Sequence, residues 1–153
     1  MRVGIGFDVH PFGGDGPLVL AGVEIEGPAL RGHSDADAVA HAVADALLGA
    51  AGLPDLGSLY PASDDRYRDA SSMGLLADVV ERVRAAGWVT GNVDVVIAAE
   101  EPRLGPHIAA MGAALTAVLG GPVAVKAKRG EGLGAIGRAE GIAAWAVALL
   151  EPA

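Results

Sequence analysis

Arg2-Val3-Gly4-Ile5-Gly6-Phe7-Asp8-Val9-His10 is the stretch from which the fold can be read. Val3, Ile5 and Phe7 alternate with Gly and Asp at the period of two that marks a strand, so the segment reads as a buried strand. Asp8 and His10 stand at its C-terminal end. Residues i and i+2 of a strand project from one face, so both side chains can meet one ion.

Beyond this strand, Gly13-Gly14-Asp15-Gly16 predicts a turn, and Leu18–Leu20 with Val23–Ile25 predicts a short hairpin. Ser34, with Asp37 three residues on, reads as the N-cap of a helix from about Asp35 to Ala51. Val39, Val43, Ala46, Leu47 and Ala50 form its apolar stripe, and Asp37, His41 and Asp45 its polar one. A loop from Gly52 to Ala70 leads to a helix over about Ser72–Ala86, closed by Gly87. Val93–Ala99 predicts a strand, Pro106–Leu119 a helix and Val123–Ala127 a strand. Gly141–Leu150 fits a buried strand or a helix. The pattern is one α/β or α+β domain over residues 1–153.

The chain carries 11 basic and 19 acidic residues, a net charge of −8, which argues against nucleic acid as a partner. Cysteine is absent, which excludes disulfides, a thiol nucleophile and Cys-ligated zinc. No apolar run reaches the roughly 20 residues of a membrane span, and Met1-Arg2-Val3-Gly4 does not read as a signal peptide. A cytoplasmic enzyme or binding protein is expected.

Asp8, His10 and His41 make a set of two imidazoles and one carboxylate that suits Zn²⁺, with a fourth position left for substrate. Asp37 or Asp45 is placed to orient His41. Lys128-Arg129-Gly130-Glu131 puts two cations and a carboxylate on one turn, a combination suited to a diphosphate and a hard divalent ion. Gly132-Leu133-Gly134-Ala135-Ile136-Gly137 matches a dinucleotide fingerprint, but only sixteen residues follow it, too few for a βαβ unit and its acidic partner. It reads instead as a tight loop that lets backbone approach a ligand or a neighbouring subunit.

Together these segments resemble the 2-C-methyl-D-erythritol 2,4-cyclodiphosphate synthase family along nearly the whole chain. The matching pieces are residues 2–10, His33-Ser34-Asp35-Ala36-Asp37, 45–51, Asp55-Leu56-Gly57, 91–94, 106–108 and 137–143. The resemblance implies an α+β domain with a mixed sheet packed against helices, assembled as a homotrimer, with a strand at Gly141–Leu150. It implies zinc at Asp8, His10 and His41, and transition-state stabilisation by His33 with Ser34 beside it. Asp55, Leu56 and Gly57 would contact the methylerythritol. Residues 99–104 with Lys128, Arg129 and Gly130, and also Arg138, would hold the cytidine and its phosphates across a subunit boundary. Glu131 would bind a second divalent ion, Mg²⁺ or Mn²⁺. The implied reaction is attack of a substrate's own 2-phosphate on its β-phosphate, releasing CMP.

The chain departs from the family pattern at three places. Ala36 stands where the family has Gly, a change a helix would tolerate. Lys128-Arg129-Gly130 stands where the family has a Thr-rich turn, and the resemblance would pass the catalytic role of its Thr to Arg129. Ala135 replaces a Phe. Two other chemistries use the same residues: a zinc-dependent phosphoester hydrolase, and a non-enzymatic trimer with a structural metal.

Overall fold

The computed structural model describes residues 1–67 and 70–153. Its elements are β1 (Arg2–Pro11), β2 (Leu18–Leu20), β3 (Val23–Ile25), α1 (Ala38–Ala51), α2 (Leu56–Leu59), α3 (Ser72–Ala85), β4 (Trp88–Ala98), α4 (Ile108–Leu119), β5 (Val123–Lys128), α5 (Gly134–Gly137) and β6 (Gly141–Pro152). Short 3₁₀ turns at Asp65–Tyr67 and Gly105–His107 complete it. Four strands form a mixed sheet in the order β1-β6-β4-β5, parallel only between β4 and β5, and β2 and β3 form a separate hairpin. Helices α1, α3 and α4 contribute the core residues that cover one sheet face. The chain is therefore a single α+β unit. No described helix is long and apolar enough to cross a membrane.

β1 reverses the expected faces. Val3, Ile5, Phe7 and Val9 are exposed, and Gly4 and Gly6 point at α1. The cause is how closely α1 lies on the strand. A Cβ on Gly4 would sit 2.1 Å from the Ala46 carbonyl oxygen, and one on Gly6 1.9 Å from that of Ala42. Only glycine opposite an alanine-rich helix permits this approach. The even residues of β1 thus face the helix, and Asp8 and His10 continue that face.

Gly141–Pro152 is a strand paired on both edges, with β1 and with β4. Ile142, Ala144, Ala146, Ala148 and Leu150 are buried, and Trp145 and Val147 are exposed, which is the period of two. Trp145 packs against Phe7 with ring centroids 5.1 Å apart. Trp88 is half-buried beneath the Arg2 guanidinium, 4.6 Å from its ring centroid.

α1 begins later than the Ser34 cap predicts. Asp37 is the N-cap, fully buried, and accepts from the N–H groups of Val39 and Ala40 as well as Ala21 and Gly22. Asp37 is therefore not part of a polar stripe and does not orient His41. Ala36 lies outside the helix at φ 55°, so the family's Gly suits a left-handed position and helix tolerance does not account for Ala. The 52–70 loop contains α2 and a 3₁₀ turn, and its residues 68 and 69 lie outside the described ones. In the glycine-rich segment the close approach is internal: a Cβ on Gly137 would sit 2.3 Å from the Gly132 carbonyl carbon.

Candidate active site

The end of β1 and the first turn of α1 bring Asp8, His10 and His41 together. Asp8 Oδ2 lies 2.9 Å from both His10 Nε2 and His41 Nδ1. His10 Nε2 and His41 Nδ1 are 3.3 Å apart, and one ligand atom from each of the three residues lies within 4.8 Å of the others. Tetrahedral zinc with bonds of roughly 2.0–2.1 Å separates its ligand atoms by about 3.3 Å, so the donor set fits that ion. The outer nitrogen of His10 supports the same reading. Nδ1 faces the Arg31 carbonyl at 3.0 Å, which can only accept, so a proton sits there and Nε2 is the nitrogen left for an ion.

Electrostatics agree with a cation site. Burial alone would raise the Asp8 carboxyl, but hydrogen bonds and charge from His10 and His41 outweigh it and hold the group well below the usual carboxylate range. Burial tends to lower His10, yet bonding to Asp8 and the charge of Asp8 raise it above its ordinary value. Asp45 is pushed up, chiefly by burial, against the Leu56 N–H that it accepts at 2.8 Å. Asp45 thus braces α2 and makes no hydrogen bond to His41.

The triad opens into a cavity of about 340 Å³ whose walls include His33, Ser34, Asp45, Leu56, Gly57 and Tyr60. The ring of His33 approaches the Asp64 carbonyl at 3.5 Å. Asp55 caps α2 through the Ser58 N–H at 2.7 Å and lines a neighbouring cavity with Asp45, Ile5 and Phe7. Sequence reasoning missed Ser72, whose Oγ lies 2.8 Å from His41 Nε2. The available signal was two adjacent serines at a helix start, of which the cap uses only Ser71.

The basic turn is elsewhere. Lys128 and Arg129 line a second cavity, about 470 Å³, together with Ala99, Glu100, Arg103 and Leu104, and it shares no wall residue with the first. Glu100 accepts from the Arg129 guanidinium and, at 3.0 Å, from the Gly130 N–H. Glu131 is exposed at φ 52°, and Arg138 pairs with Glu140 at 2.6 Å. Within one chain, then, Lys128, Arg129, Gly130, Glu131 and Arg138 do not join the triad.

A mixed-sheet α+β domain with two imidazoles and a carboxylate converging on one cavity is the architecture of a metal-site enzyme domain. Residues 1–151 match the model of the YgbB family. The chain belongs to that family, that of the 2-C-methyl-D-erythritol 2,4-cyclodiphosphate synthases. It is 52% identical to a 2-C-methyl-D-erythritol 2,4-cyclodiphosphate synthase of Bordetella petrii, over 97% of this chain and 94% of that one. It is also 52% identical to a bifunctional enzyme IspD/IspF of Anaeromyxobacter sp., over 98% of this chain, but spans only 40% of that relative's length. A solved 2C-methyl-D-erythritol-2,4-cyclodiphosphate synthase in its CDP-bound form superposes with a TM-score of 0.89 at 36% identity, covering 98% of this chain and all of that one.

Proposed function

We propose that this chain is a cyclodiphosphate synthase domain over residues 1–153 that acts in the cytoplasm on 4-diphosphocytidyl-2-C-methyl-D-erythritol 2-phosphate. It yields 2-C-methyl-D-erythritol 2,4-cyclodiphosphate and CMP in isoprenoid precursor biosynthesis. The observation that carries this reading is the convergence of Asp8, His10 and His41 on a cavity walled by His33, Ser34, Leu56 and Gly57.

A zinc ion held by Asp8, His10 and His41, with Mg²⁺ or Mn²⁺ at Glu131, would supply Lewis-acid polarisation and charge neutralisation. The protein's own task is positioning. An oxygen of the 2-phosphate attacks the β-phosphorus, the bond to the bridging oxygen breaks, and CMP leaves with that oxygen and its electron pair. No protein nucleophile is required, and holding both ends of one molecule in line supplies most of the acceleration. Leu56 and Gly57, with Asp55 beside them, hold the methylerythritol. His33 and Ser34 line the cavity where charge develops on the phosphates.

The cytidine half of the site comes from an adjacent subunit: residues 99–104, Lys128, Arg129, Gly130 and Arg138. Two observations support a homotrimer with sites at subunit boundaries. Lys128 and Arg129 lie in a cavity separate from the triad in their own chain. The exposed face of β1 continues through Ile5 beside Val147 and Phe7 beside Trp145 into an apolar patch that a second copy would cover.

Phosphorus-31 NMR of the products tests the reaction. The expected outcome is CMP with a cyclic diphosphate. CMP with a linear phosphate would establish the phosphoester hydrolase instead.

A further inference from the structure

The two triad imidazoles are anchored differently. The outer nitrogen of His10 faces a backbone carbonyl, which can only accept. The outer nitrogen of His41 faces two hydroxyls, Ser72 Oγ at 2.8 Å and Ser34 Oγ at 3.2 Å. A hydroxyl donates or accepts, so neither alone decides where the His41 proton sits. Asp35 decides it. Its carboxylate accepts the Ser72 hydroxyl proton on Oδ1 and the Ser72 N–H on Oδ2 at 3.0 Å, and Oδ1 also lies 3.3 Å from the Asp37 N–H. Ser72 has one hydroxyl proton, and the carboxylate is the stronger acceptor. The Ser72 oxygen is left to accept.

We infer that Ser72, aligned by Asp35, is a positioning residue that holds the His41 proton on Nε2 and so presents the Nδ1 lone pair to a divalent ion at Asp8 and His10. The inference rests on the metal reading above. The proton count closes around the buried Ser72 oxygen. One lone pair accepts from His41 Nε2–H, and the other accepts from Ser34, 3.3 Å away. The Ser34 oxygen in turn accepts the Ala36 N–H at 3.3 Å. The two-point grip of Asp35 on the first residue of α3 also fixes the Ser72 rotamer. The relay joins the 32–37 loop, α1 and α3 at a single ring nitrogen. In the other tautomer an N–H would point at Asp8 and His10, where only a lone pair can bind a cation.

Two measurements test this. Nitrogen-15 NMR of the zinc-loaded protein should show a His41 Nε2–H that exchanges slowly with water, and one that exchanges faster in Ser72→Ala. Equal exchange in the two proteins overturns the inference. Zinc affinity by chelator competition should fall by about 10–100-fold in Ser72→Ala, and by a comparable factor in Asp35→Asn. Because both act through one hydroxyl, the double variant should bind zinc no more weakly than Ser72→Ala alone. Affinity in Ser72→Ala within about threefold of the unsubstituted protein overturns the relay, as do losses that multiply in the double variant. Failure of the unsubstituted protein to bind zinc would remove the metal reading, whereas zinc binding left unchanged by Ser72→Ala would remove the relay alone.

Discussion

The triad and the basic turn are built in opposite ways. Asp8, His10 and His41 sit where glycines let β1 lie close against α1, with contacts of 2.9–3.3 Å among them and the outer nitrogen of each imidazole tethered. Lys128, Arg129, Glu131 and Arg138 sit on exposed turns, with Arg129 on Glu100 and Arg138 on Glu140. Exposed ion pairs are worth only about 0–1 kcal/mol, so each cation can leave its carboxylate for a phosphate at little cost. One chain brings the triad together by itself. Its basic turn lines a different cavity.

The largest expected effect is on the metal half. His41→Ala should reduce zinc from about one ion per chain to nearly none while the protein remains folded. Elemental analysis showing full zinc in that variant would break the contrast at its stronger side. Gly6→Ala should act on the same site without touching a ligand. Its Cβ would meet the Ala42 carbonyl oxygen, one residue from His41, so α1 must shift. A stability loss of about 1–3 kcal/mol in denaturant titration, with weaker zinc binding, is expected. Unchanged zinc affinity would mean the close packing does not set the triad.

On the basic turn, Arg129→Ala should slow turnover by about 10–150-fold if the guanidinium donates a charge-assisted bond worth roughly 1.5–3 kcal/mol. Arg129→Thr should recover most of that activity by restoring the hydroxyl usual in the family. Negligible effects in both, measured as kcat, would leave Arg129 as a partner of Glu100 alone. The smallest effect belongs to Asp45, whose carboxyl is raised above 3.8 chiefly by burial. A raised carboxyl contributes stability that is present below its unfolded value and is lost as pH rises through its folded one. Asp45→Asn, with an oxygen still able to accept the Leu56 N–H, should therefore be more stable than the unsubstituted protein at neutral pH. The gain should close as pH falls toward 3.8. A denaturation midpoint difference that does not change with pH would remove the burial argument.

The triad was legible because each residue carries a local signal: i and i+2 at a strand end, and a histidine on the polar stripe of a helix. The face of β1 was not. Alternation shows that two faces differ, but it does not say which of them meets the helix, and here the glycine face does. Asp37 misled for a similar reason, since a buried cap falls at the same spacing as a polar stripe. Gly141–Leu150 left strand and helix open because alanine suits either, and pairing with β1 and β4 decided it. The Arg129–Glu100 pair joins residues 29 apart in sequence, and nothing local signals it.

The central claim is that the two halves meet only between chains, and mixed assembly tests it directly. Subunits carrying His41→Ala are combined, by unfolding and refolding together, with subunits carrying Lys128→Ala and Arg129→Ala. Random assembly of a trimer gives about a quarter of boundaries both intact halves, so activity should rise well above either parent, toward that fraction of the unsubstituted enzyme. Mixed assemblies as inactive as both parents would contradict the account.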